Sequence, residues 1–159
     1  MAASDYFNEV QKLYIAYYQR PADPGGLRNW ADKLAAGRSL DDIIDEFAKS
    51  EESEALYGTI NASNIDGFID RVYRALFNRD PDPAGKTFYK NAFLNGIFKP
   101  GALVLRILQG AQNDDLVAIN NKLTVANRFT EAVDGRPMTD PDFGTGTAFA
   151  ATYSGNTDA

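Results

Sequence analysis

Two short stretches of this chain carry residues whose types and spacing could do chemistry, and they are copies of one another. Residues 13–26 read LYIAYYQRPADPGG and residues 72–85 read VYRALFNRDPDPAG. At an offset of 59, six of fourteen positions are identical: Tyr14/Tyr73, Ala16/Ala75, Arg20/Arg79, Asp23/Asp82, Pro24/Pro83 and Gly26/Gly85. An Asp directly before a Pro suits a helix start, because Asp accepts orphan backbone N–H bonds and Pro is well tolerated at the first helical position. The Arg offers a fork of donors to carboxylates or carbonyls. Arg20, Asp23, Arg79 and Asp82 therefore read as a structural turn motif, each Asp worth about 1 kcal/mol as a cap. The second copy also admits a metal reading. Asp80, Asp82 and Gly85 match the first, third and sixth positions of an EF-hand loop. Ala84 stands at the fifth, where an oxygen ligand belongs, and Asn91 at the twelfth, where a bidentate Glu belongs, so the EF-hand fails. Asp80 and Asp82 remain metal candidates only for a weaker calcium site completed by carbonyls.

Catalysis has little to work with. The chain contains no histidine and no cysteine, which removes the commonest general base, the thiolate nucleophile and the usual zinc ligands. Nothing singles out a pair of carboxylates for acid–base work, so the chain reads as non-enzymatic. The formal net charge is −6 with no basic stripe, which argues against nucleic acid and against adhesion to anionic lipid. No stretch approaches the ~20 apolar residues of a membrane-spanning helix, so no membrane insertion is expected.

Aromatic residues make up 12% of the chain and offer a second chemistry, because sugar C–H faces pack on rings. Tyr14 and Trp30 fall on apolar helical stripes and are assigned to the core. Tyr18 and Tyr57 fall off those stripes and are the expected surface contacts for a glycan. Asn120 and Asn121 interrupt an amphipathic helix and join them as glycan-binding candidates.

The elements that must hold these residues are helices. Apolar residues recur at helical spacing through Phe7, Val10, Tyr14 and Tyr17, then Leu27, Trp30 and Leu34, then Leu40, Ile43, Ile44 and Phe47. Ser4, Ser39 with Asp42, and Ser63 are expected N-caps, and Pro100 a first helical residue. The pattern predicts an all-α fold of about seven or eight short helices. Two related three-helix units over about 5–58 and 64–111 are followed by a longer helix over about 113–133, packing across both, with Leu116, Ile119, Leu123 and Ala126 on its stripe. Residues 134–159 read as loop, a short helix over 147–153, and the start of a linker. Leu13, Trp30, Leu34, Phe47, Val72, Leu76, Phe93 and Ile107 are expected in the core.

With these residues in place, the chain resembles the family called domain of unknown function 4214. The likeness rests on Leu13-Tyr14, Ala16, Arg20-Pro21-Ala22-Asp23, Gly26-Leu27, Trp30, Leu34, Gly37, Leu40, Ile43 and Phe47. It continues more loosely through the second unit, where Tyr89 replaces Trp. The stretch Asn121 to Phe129 is similar to the segment that succeeds this domain in many secreted RTX-type proteins. The resemblance implies an N-terminal domain of a protein exported by type I secretion, extracellular on a Gram-negative surface, with calcium sites in a downstream region rather than here. It implies anchoring of an S-layer-type protein to lipopolysaccharide O-antigen, with copies of itself in a two-dimensional lattice as further partners. Lys/Arg attraction is not expected to drive that contact. The N-terminus lacks a basic and apolar leader, which suits that route. The alternative is a structural linker or self-assembly module without a glycan ligand; a weaker likeness to phycobilisome linker domains points that way.

Overall fold

A computed structural model describes residues 2–146. A 3-10 turn, Ala3–Tyr6, leads into α1 (Phe7–Tyr18), α2 (Pro24–Ala35), α3 (Leu40–Ala48), α4 (Glu51–Tyr57), α5 (Ile65–Phe77), α6 (Pro83–Leu94), α7 (Pro100–Gln109) and α8 (Asn113–Asp134). No strand occurs among the described residues, and the fold is all-α. The helix expected over 147–153 and the linker after it lie outside the described residues.

The helix starts follow from local chemistry. Asp23 and Asp82 each accept the backbone N–H three residues on, from Gly26 at 2.7 Å and Gly85 at 3.3 Å, with Pro at the first helical position. Ser39 caps α3 through Asp42 N–H, and Pro100 opens α7. Ser4 and Ser63 do not cap. Ser4 lies within the 3-10 turn, and Ser63 donates to Asn61 while Asn64 stands at the α5 N-cap position. Gly37 follows α2 at φ +100, a conformation a Cβ would disfavour.

Helix α1 is the centre of the molecule. Nine of its twelve residues are buried, including Leu13, Tyr14, Tyr17 and Tyr18. Phe47 of α3 gathers the aromatic core, with Tyr14, Tyr18 and Trp30 ring centroids at 5.3, 5.1 and 5.0 Å. Leu13, Trp30, Leu34, Phe47, Val72, Leu76 and Ile107 are buried as expected. Phe93 is only half-buried, because α6 buries Ala92 alone.

Each unit holds the three expected helices, α1 to α3 and α5 to α7, and a further helix follows each. Helix α4 does for the first unit what the opening of α8 does for the second. Helix α8 then continues past α5 back onto α1 and α2, burying Ile119, Ala126 and Thr130. Thr130 donates to the Ala22 carbonyl at 2.7 Å and accepts from Gln11 at 2.9 Å. Leu116 of the expected stripe is exposed and Leu123 half-buried. Phe143 closes the end, fully buried and edge-on to Phe7 at 5.3 Å.

Candidate functional site

The repeated turn motif is a locking device, and the structure accounts for five of the six identities, those of Tyr, Arg, Asp, Pro and Gly. Arg20 grips Glu52 of α4 with both ends of its fork, at 2.7 and 3.0 Å. Arg79 grips Asp115 of α8 in the same way, at 2.7 and 2.6 Å. Each Arg also donates to the carbonyl of the next residue, Pro21 or Asp80, at 2.9 Å. Each lies over the ring of the motif Tyr, at 5.3 Å for Tyr14 and 5.2 Å for Tyr73. The carbonyl of Ala16 accepts from Tyr57 of α4, and that of Ala75 from Lys122 of α8. The Tyr dictates the Gly in the first copy, where a Cβ on Gly26 would collide with the Tyr14 hydroxyl; in the second a Cβ on Gly85 would stand 3.1 Å from that of Tyr73, a contact that can give way. Burial raises the pKa of both phenols, to about 12 for Tyr73, so both stay protonated within the lock.

The same geometry occupies the metal candidates. Asp80 accepts from Arg74 at 2.6 Å, and Asp82 is committed to Gly85 N–H with Arg79 at 3.9 Å. Among the described residues no three carboxylates converge as a metal-holding group. Asp80 and Asp82 each use one carboxylate oxygen in these hydrogen bonds.

The glycan candidates divide. Tyr18 and Tyr57 are buried, at 6% and 8% exposure, which corrects their assignment to the surface. Both lie off the stripe of their own helix but face another: Tyr18 stacks on Phe47, and Tyr57 stands edge-on to Phe68 at 5.2 Å. The Tyr57 hydroxyl donates to Ala16 and accepts from Gln19. Asn120 and Asn121 are exposed on α8. Asn121 borders a shallow groove of about 530 Å³ with Ile15, Gln19, Asn78, Lys122 and Val125. The four candidates thus do not form one site.

A second depression, missed in the sequence, is a better formed site. It holds about 350 Å³ between α3, α4, the 58–60 loop and the start of α7. Its apolar floor contains Tyr17, Tyr57, Phe68 and Val104. Asp45, Lys49, Glu54 and Lys99 stand around it, and none makes an ion pair or side-chain hydrogen bond with a described residue. Ser53 also lines it, only 5% exposed, its hydroxyl without a hydrogen-bond partner among the described residues. Tyr17 donates to the Gly101 carbonyl, tying α1 to α7 at the cleft floor. No single-helix pattern could reveal this cleft, because it is assembled across the two units. Small apolar cavities with a few convergent polar groups are the usual form of a ligand site.

The chain is thus an all-α double repeat with a paired Arg–Tyr turn in each unit and a polar-rimmed cleft between the units. The family described as domain of unknown function (DUF4214) matches residues 3–57 and again residues 45–117, and the chain belongs to this family. The first match ends where α4 ends, and the second reaches the opening turns of α8. No curated protein and no solved structure matches the chain.

Proposed function

We propose that this chain is a non-catalytic glycan-binding module that anchors a secreted S-layer-type surface protein to lipopolysaccharide O-antigen on a Gram-negative cell. The observation that carries the glycan part is the cleft beside α4. Aromatic ring faces can pack on sugar C–H faces while unpaired charged and hydroxyl groups take the sugar hydroxyls. The anchoring and lattice parts rest on the resemblance to secreted surface proteins. Each contact is weak, and repetition of the module in an array supplies firm attachment through effective concentration.

The test is retention on lipopolysaccharide with and without O-antigen, using the wild-type chain and Lys49→Ala/Glu54→Ala. Both substituted side chains are exposed, so the fold should survive. Retention only on O-antigen-bearing lipopolysaccharide, lost in the double variant, supports the reading. Equal retention on both materials refutes it.

The second reading, a self-assembly module, draws on a different surface. Val117, Val125 and Phe129 recur along α8 and are more than half exposed, at 57%, 67% and 54%. Sedimentation equilibrium separates the two: a concentration-dependent oligomer abolished by Val125→Asp, without any glycan binding, favours assembly.

A further inference from the structure

The internal repeat serves as a control for what its second half has changed. Helix α3 begins with Ser39 as a side-chain cap and carries Asp41 and Asp42 in its first turn. One inserted residue brings Ile43, Ile44 and Phe47 onto Leu103, Val104 and Ile107, so the matching positions at α7 are Lys99, Gly101 and Ala102. Helix α7 therefore has no side-chain cap and no acid in its first turn. A helix start normally recruits an oxygen and a negative charge, because its first N–H groups are orphaned and its dipole is positive there. Unit one follows that rule and unit two replaces both with a cation and small residues. Packing explains one change only: a Cβ on Gly101 would stand 2.9 Å from the Ala48 Cβ. It does not explain Lys99 or Ala102.

This uncapped start lines the cleft, and two further groups converge on it. Ser53 is nine-tenths buried, with no hydrogen-bond partner for its hydroxyl among the described residues. Lys49 and Lys99 stand on the rim without carboxylate partners among the described residues. We propose that the start of α7, with Lys49, Lys99 and Ser53, is an anion subsite, and that the ligand of the cleft is an acidic saccharide held by its carboxylate or phosphate. The proposal rests on the glycan reading above and deepens it. The α7 N–H groups and the two ammonium groups take the anion. The ring edges of Tyr57 and Phe68 that reach the cleft, 8% and 5% exposed, meet the sugar's C–H groups. Asp45 and Glu54, on the α3 and α4 side, accept from sugar hydroxyls. This reverses the expectation from overall charge that Lys and Arg play no part: the chain is acidic as a whole, while α7 has Lys99 at its N-cap and carries no acid in its first turn.

The repeat also supplies the variant. Lys99→Ser/Ala102→Asp rebuilds the α3 start at α7, so it fills the anion position from within while supporting the helix. The experiment is a titration of amide shifts with glucuronate, glucose 6-phosphate, glucose and inorganic phosphate, alongside melting curves. The expected result is that glucuronate or glucose 6-phosphate shifts Gly101 and Ala102 and binds at least ~10-fold more tightly than glucose. Two charge-assisted bonds readily supply that ratio. The acidic sugar that binds more tightly tells a carboxylate from a phosphate ligand. The double variant should lose at least ~10-fold for the acidic sugars while its melting temperature holds or rises. Glucose binding as tightly as glucuronate, unaffected by the variant, overturns the anion subsite and leaves the glycan reading standing. Phosphate binding alone, with no sugar bound, overturns the saccharide and the glycan reading together. No shift at the cleft from any probe removes both.

Discussion

Replacing Gly26 by Ala adds one methyl group at the tightest point of the repeated lock. The new Cβ would collide with the Tyr14 hydroxyl and lie 2.8 Å from both Asp23 oxygens, at a position with almost no exposure. Overpacking of this kind costs about 1–3 kcal/mol. Against it stands the gain of up to about 1 kcal/mol from Ala over Gly in a helix. The net expectation is a loss of roughly 1–2 kcal/mol, or a fall of roughly 2–8 °C in melting temperature at this chain length. Gly85→Ala is the internal comparison. Its Cβ would meet Asp82 at 3.0 Å and Tyr73 at 3.1 Å, where Asp82 is exposed and free to give way. There the two terms nearly cancel, and the change should stay within about 0.5 kcal/mol. Urea unfolding of both variants measures the difference. Tyr14→Phe in the Gly26→Ala background removes the colliding oxygen and should recover part of the loss, despite giving up the bond with Trp30. Equal destabilisation by the two Gly variants, or no recovery in the double variant, would refute the claim that the Tyr hydroxyl dictates the Gly.

The remaining expectations concern the lock, the phenols and calcium. Glu52→Ala frees Arg20 and should cost roughly 1 kcal/mol in urea unfolding, a modest figure because the pair is about one-third exposed. Tyr14, Tyr17, Tyr18, Tyr57, Tyr73 and Tyr89 all have folded pKa values raised by burial, to about 12 for Tyr73. A raised value means the folded state holds the proton more tightly. Their contribution is therefore complete below the unfolded phenol value near 10 and is lost as pH climbs through the folded values. Stability should fall steeply above about pH 10, with the phenolate absorbance of these rings appearing only with unfolding; gradual ionisation of all eight tyrosines in the folded state would contradict this. Asp82→Ala should cost about 1 kcal/mol through the lost cap. Calcium should not shift the melting temperature of either form, and a large shift abolished by Asp82→Ala would restore the metal reading.

Much of the fold is legible because local rules govern helix ends and stripes. Asp23-Pro24, Asp82-Pro83, Ser39 and Pro100 each mark a helix start from sequence alone. Helix α4 does not stand out, because seven residues beginning Glu-Glu-Ser-Glu show no apolar stripe; its role comes from Glu52 meeting Arg20. The site is less legible. Placing Tyr18 and Tyr57 in solvent assumes that one helix buries one face. Helix α1 is surrounded, with α2, α3, α4, α5, α7 and α8 all packed on it, so off-stripe residues are buried too. The cleft joins residues from α3, α4 and α7 that no periodicity connects. One signal for it is present in the sequence: the repeat aligns the Ser39 cap with Lys99, a departure that marks a helix start without its usual partner.

The most direct test of the account is the location of O-antigen binding. Amide shifts should be followed while purified O-antigen polysaccharide is titrated into the folded chain. Saturable shifts are expected at Lys49, Ser53, Glu54, Gly101 and Ala102, with Asn120 and Asn121 unmoved. Shifts confined to Asn120, Asn121 and the α8 groove, or none at saturating polysaccharide, would contradict it.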